Sequence, residues 1–117
     1  MGAEELKKRT QVFGLDIIKL IQALPDRGPA NTIGRQLIRC GTSVGANFRA
    51  ACRARSNADF IAKLKIVEEE CDESIYWLEL LTSLDLGWNS SIIKLVDEAN
   101  QLLSIIVASI KTSRRKG

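Results

Sequence analysis

The chain has no histidine. That removes the side chain most often used as a general base near neutral pH and most often used as a metal ligand. There is no phosphate loop, no Gly-x-Gly-x-x-Gly, and no Glu-x-x-His pattern beside the dense carboxylates Glu68, Glu69, Glu70, Asp72 and Glu73. The last absence excludes a ferritin-like di-iron centre in its usual form. The hydroxyls of Thr42 and Ser43 lack an activating base nearby in sequence. The chain therefore reads as non-enzymatic, with no cofactor and no metal. No apolar run approaches the about 20 residues that cross a membrane, so no membrane role is expected. The charged opening from Met1 to Arg9 has no apolar signal core, and a cytoplasmic protein is expected. The three cysteines (Cys40, Cys52 and Cys71) are odd in number and lack CxxC spacing. They fit buried helix positions in a reducing compartment rather than a disulfide framework. The two prolines, Pro25 and Pro29, bracket one short segment and leave the rest of the chain free of that breaker.

No segment alternates like a strand, and every long segment carries the helical period. Hydrophobic content of 45% and charged content of 26% suit a globular domain, and 117 residues suffice for one core. The expected architecture is all-α, a single domain over residues 1–117. It is an antiparallel up-down-up-down four-helix bundle with helices over about 4–24, 30–54, 57–84 and 90–112. The stripes are Leu6, Phe13, Ile17, Leu20, Ile21 and Leu24; then Ile33, Leu37, Cys40, Val44, Phe48 and Ala51. They continue with Phe60, Leu64, Val67, Cys71, Ile75, Leu78 and Leu81; then Ile92, Val96, Ala99, Leu103, Ile106 and Ile110. Ser56 with Asp59 reads as a helix-capping pair, Asp85-Leu-Gly87 as a stop, and Asn89 or Ser90 as the next cap. Residues after Ile110 are expected to fray.

Charge is unevenly placed. From Ala30 to Arg55 there are five arginines and no acid; from Ser56 to Leu86 there are eight acids and only two lysines. Arg35, Arg39, Arg49 and Arg53 fall within an arc of roughly 80° and run for about 27 Å along the second helix. Such a stripe is either a solvated face or a row of phosphate contacts. Arg114, Arg115 and Lys116 would supplement it from the tail. No aromatic residue interleaves the stripe, so base stacking is not implied. Gly34, Gly41, Gly45 and Cys52 line one flank of the same helix. Interior glycines cost up to about 1 kcal/mol each, and close approach of another helix would justify them. That helix could come from this chain or from a neighbour, which makes Gly41 and Gly45 candidate interface positions. The third helix carries a second stripe of Ile66, Glu70, Glu73, Trp77 and Leu84, which reads as an oligomer interface or as the edge of a wide core face. Asn47, Glu73 and Trp77 are expected to be structural, fixing helix register by hydrogen bonds.

Three runs carry a resemblance: Arg39-Cys-Gly-Thr-Ser-Val-Gly-Ala-Asn47, Arg53-Ala-Arg-Ser-Asn-Ala-Asp-Phe-Ile61, and Glu70-Cys-Asp-Glu-Ser-Ile-Tyr-Trp-Leu78. With the apolar frame around them, the chain resembles the four-helix-bundle family named for 23S ribosomal RNA intervening-sequence proteins. Ala50 departs from the family pattern, which commonly has an acid there. The resemblance implies a ring-like homopentamer. It also implies kinship with accessory variability determinant proteins of diversity-generating retroelements, which bind nucleic acid and a reverse transcriptase through a basic surface. The leading expectation is a homo-oligomer binding structured RNA or DNA through Arg35, Arg39, Arg49 and Arg53. The alternative is a protein-interaction scaffold in which those arginines pair with Glu70 and Glu73 across subunit boundaries.

Overall fold

The computed structural model describes residues 1–117, folded as α1 (Ala3–Ala23), α2 (Gly28–Ala51), α3 (Asn57–Leu84) and α4 (Asn89–Lys116). There is no strand, and the molecule measures 46 × 20 × 20 Å. Each helix packs on its sequence neighbours, α4 closes loosely back on α1, and the diagonal pairs do not meet. The all-α bundle expected from the apolar period is the fold observed.

The helix ends follow local chemistry. Glu4 and Glu5 occupy the first turn of α1, where the helix dipole favours acids. Pro29 sits in the first turn of α2, so that helix starts about two residues earlier than its apolar stripe suggested. The Ser56 hydroxyl accepts the Asp59 backbone N–H at 3.0 Å and caps α3 as expected. Asp85 ends α3 in the left-handed region, at φ 52, and Gly87 follows at φ 89. Three expectations need correction. First, α2 stops at Ala51, because the Arg53 and Ala54 amides turn back to Ala50 and Ala51. Arg53 therefore sits in a turn. Second, neither Asn89 nor Ser90 caps α4: the flanking residue is Trp88, with no side-chain cap. Asn89 opens the helix, donating to Asp85 Oδ1 at 3.4 Å, and its own Oδ1 is buried without a partner. Third, α4 continues to Lys116 instead of fraying after Ile110. Ser113 is buried there, and its carbonyl accepts the Asn57 amide at 2.8 Å.

The buried core joins all four stripes. Each fully buried Leu, Ile or Phe contributes about 1.5–3 kcal/mol relative to exposure. On α4 the buried row is Ile92, Leu95, Ala99, Leu102, Ile106 and Ile110, while Val96 and Leu103 are only half-buried. The core face of α4 is thus turned towards Leu95 and Leu102.

At three glycines of α2, α1 packs closely on that helix. A methyl group added at Gly45 would lie 3.3 Å from the Thr10 carbonyl carbon and oxygen. One added at Gly41 would lie 2.4 Å from Ile17 Cδ1, and one at Gly34 2.9 Å from Ile21 Cγ2. Thr10 is buried in this seam, its hydroxyl donating to the Leu6 carbonyl at 2.9 Å. The pairs 10 with 45, 17 with 41 and 21 with 34 fix α1 and α2 as antiparallel. Gly41 and Gly45, expected at an interface, are thus buried against α1 of the same chain, which fills the space their missing side chains leave.

Gly14 differs, since a methyl group there would meet Thr42 Cα at an ordinary 3.5 Å. Gly14→Ala is expected to stabilise the fold by up to about 1 kcal/mol through helix propensity, whereas Gly45→Leu should destabilise it by about 1–3 kcal/mol through overpacking. Chemical denaturation of the two variants checks both signs. Burial also pushes the Cys71 thiol up to about 12 and raises Cys40, while Cys52 is only half-buried. Thiol titration of the native protein at pH 8 should therefore show Cys52 reacting well ahead of the other two, with all three reacting in denaturant.

Candidate functional site

The four-arginine stripe does not survive as a unit. Arg39 leans from α2 onto α3 and forms ion pairs there. Its Nη1 donates to Glu70 Oε2 at 3.4 Å, and its Nη2 forms a short contact with Glu73 Oε2. The same Glu73 oxygen accepts the Trp77 indole N–H at 2.9 Å. The Trp77 ring meets Tyr76 edge-on with centroids 5.0 Å apart. Arg39, Glu70, Glu73 and Trp77 thus form one network along the α2–α3 seam. The Arg39–Glu70–Glu73 pairing anticipated between subunits occurs within one chain. Asn47 plays no cross-helix part: its amide donates to the Ser43 carbonyl of its own helix at 2.9 Å. Thr42 and Ser43 likewise bond to backbone carbonyls one turn back.

Arg35, Arg49 and Arg53 are exposed and form no ion pair. The antiparallel topology decides what surrounds them. The last turn of α2, the first turn of α3, the last turn of α4 and the first turns of α1 all lie at one end of the bundle. Arg49, Arg53 and Arg55 therefore share that end with Arg114, Arg115 and Lys116, all six exposed. Lys8 of α1 and Arg49 line one groove of about 500 Å³ that contains no acid. The acids at this end are largely engaged: Glu4 pairs with Lys7, and Asp59 pairs with Lys63. The hydrogen bonds of Asp59 to Lys63 and to the Arg55 backbone N–H lower its pKa. Arg35 lies about 21 Å further along α2 from Arg49 and outside this basic pole. The sequence grouped Arg49 and Arg53 with Arg35 and Arg39 as well as with the tail, and did not single out Arg55 or Lys8. The signal for Arg55 was present, since it lies in the same acid-free run.

The outward face of α3 is the second feature. Ile66, Tyr76 and Leu84 are 43%, 55% and 41% exposed, with Trp77 half-buried beside them. These apolar side chains stand beside the buried row of α3 and among its acids, so the helix carries more apolar surface than its core contact alone requires. Of the expected interface positions, Ile66 and Trp77 remain on an accessible surface, while Glu70 and Glu73 are held by Arg39. No group of three or more His, Cys, Asp or Glu side chains is placed to hold a metal ion. No helix is long and apolar enough to cross a membrane.

Burial raises the Glu70 pKa above its ordinary 4.5, with the Arg39 charge opposing and Glu73 adding to the rise. A raised carboxylate binds its proton more tightly in the folded state, so its contribution to stability declines as pH rises from about 4.5 through the folded value. Glu70→Gln should therefore gain stability relative to the parent chain as pH rises across that window. Urea titrations at several pH values check the slope. A double-mutant cycle on Arg39 and Glu73 should give a coupling of less than about 1 kcal/mol, because both side chains remain partly exposed.

The comparisons with known proteins agree with this geometry. Residues 4–108 match the sequence profile of the family described as 23S rRNA-intervening sequence protein. A solved structure from Bacteroides thetaiotaomicron, a protein of unknown function from the S23 ribosomal protein family, superposes with a TM-score of 0.82 at 30% sequence identity. The match covers 95% of this chain and 99% of that one. No protein of curated function matches significantly. A profile match across most of the sequence, with the same bundle in a relative of equal extent, places this chain in the 23S rRNA-intervening sequence protein family.

Proposed function

We propose that the protein is a non-enzymatic homo-oligomer that binds the backbone of structured RNA or DNA through the basic pole of its bundle. The observation that carries this reading is the convergence of Arg49, Arg53 and Arg55 with Arg114, Arg115 and Lys116 at one end. Guanidinium groups without carboxylate partners are suited to phosphate oxygens, and each phosphate neutralised releases condensed counterions. The rings at this end, Phe48 and Phe60, are packed into or against the core, the Tyr76–Trp77 pair lies further along α3, and Trp88 stands at the far end. Recognition would therefore follow backbone shape and charge rather than base stacking. Arg39 has a structural part, holding α2 to α3. Arg35 adds a separate cation on the flank.

Assembly would use the outward stripe of α3, where Ile66, Trp77 and Leu84 offer an apolar strip and Tyr76 a polar-tipped ring. A ring of five is the size the family resemblance suggests. Five basic poles in one assembly would multiply a modest per-subunit affinity. The protein acts in the cytoplasm on this reading, where ribosomal RNA or a similar structured nucleic acid is at hand.

Fluorescence anisotropy of a labelled RNA duplex tests the proposal. Binding by the parent protein should weaken with salt at a log–log slope of about −0.9 per phosphate contacted. The variant Arg49→Glu/Arg53→Glu/Arg55→Glu should lose binding at least about tenfold with helicity unchanged, whereas Arg35→Glu should cost much less. Equal binding by parent and triple variant would overturn the assignment to this pole. Ile66→Glu should lower the oligomer mass measured by light scattering while leaving the monomer helical.

A further inference from the structure

The α1–α4 side of the bundle is open. A groove of about 580 Å³ runs between these helices on the side away from α2 and α3. Phe13, Leu20 and Leu95 form its buried floor. Trp88, 42% exposed, stands over one end beside Ala23. Towards the other end Arg9 crosses from α1 to α4, donating from Nε to Glu98 Oε2 at 3.0 Å and from Nη2 to Gln101 Oε1 at 3.1 Å. The Glu98 hydrogen bond raises the Arg9 pKa, so both charges are engaged by each other. The remaining charged residues of the groove are Lys19 and Asp16 on α1 and Lys94 on α4, none in an ion pair.

We propose that this groove binds a slender amphipathic anion, an alkyl carboxylate whose chain lies on Phe13, Leu20 and Leu95 and whose head group meets Lys19 and Lys94. The volume lies within the range of roughly 300–1,000 Å³ typical of small-molecule sites. The groove extends about 16 Å along α1 from Val12 to Ala23, a length that suits an extended alkyl chain of about ten carbons. Two free cations, one on each wall, against a single free acid favour a ligand with one negative end. The apolar floor favours a ligand whose other end is hydrocarbon. The amphipathic Trp88 ring suits the mouth of such a site.

Trp88 is also the reporter. In a Trp77→Phe background it is the sole tryptophan, and circular dichroism verifies that background's fold. Titration with decanoate below its micelle-forming range should shift Trp88 emission to the blue and saturate. Decyltrimethylammonium, with the same chain and the opposite charge, should not. Lys19→Glu/Lys94→Glu should weaken the decanoate midpoint by about tenfold or more through lost charge-assisted contacts. Ala23→Phe, which fills the groove beside Trp88 without changing charge, should weaken it as well. Equal responses to both detergents, an unchanged midpoint in the lysine variant, or no response to decanoate would each overturn the proposal. A response only to phosphatidylglycerol vesicles, and not to monomeric decanoate, would overturn it too, since that is surface adsorption and not occupancy of the groove.

Discussion

The close approach of α1 to α2 is the contact on which the other features depend. A methyl group added at Gly34 or Gly41 would displace the side chain of Ile21 or Ile17, and one added at Gly45 would press on the Thr10 backbone of α1 itself. Three interior glycines weaken α2 as an isolated helix, so α2 depends on α1 for its place as much as α1 depends on α2. Seating α1 deeply on this side leaves it only loosely joined to α4, where the Arg9–Glu98 pair crosses the gap. The same register sets Lys8 beside Arg49. Packing at the seam thus reaches both the basic pole and the open groove.

Electrostatics divides the molecule along a different line. Arg39 illustrates how one member of a charged row can take a structural part while its neighbours stay free. It sits at the edge of the arc that faces α3, within reach of Glu70 and Glu73, whereas Arg49 sits at the edge facing α1, in a groove that holds Lys8 and no acid. The half-buried Glu73 serves two donors from one oxygen, which ties the indole of Trp77 to the guanidinium of Arg39. Such a network fixes orientation more than it adds stability, because exposed ion pairs contribute little in water.

Much of the bundle was legible in the residues. The 3.6-residue period located all four helices, Ser56 marked a start, and Asp85 with Gly87 marked a stop, because these depend on neighbours within a turn or two. The end of α2 was misread, since Cys52 to Ala54 continue the composition of the helix and only the backbone hydrogen bonds show the turn. The tail was misread for a related reason. Nothing in the composition of residues 111–116 announces that they stay helical, whereas the structure buries Ser113 and bonds its carbonyl to Asn57, which is distant in sequence. The core face of α4 was displaced because the apolar rows Leu95–Leu102 and Val96–Leu103 flank Ile92, Ala99 and Ile106 on opposite sides, and only the neighbours choose between them.

The sequence by itself determined the fold class, the helix count, the absence of histidine chemistry and the separation of basic from acidic segments, since these follow from composition and short-range periodicity. It also placed glycines where some helix had to come close. Tertiary structure alone decided which helix that was, because contacts between residues 13 to 35 apart leave no local trace of their partner. It alone decided that Arg39 serves the seam while Arg49 and Arg53 join the tail at one pole, because an antiparallel return brings together chain ends that the linear order keeps apart.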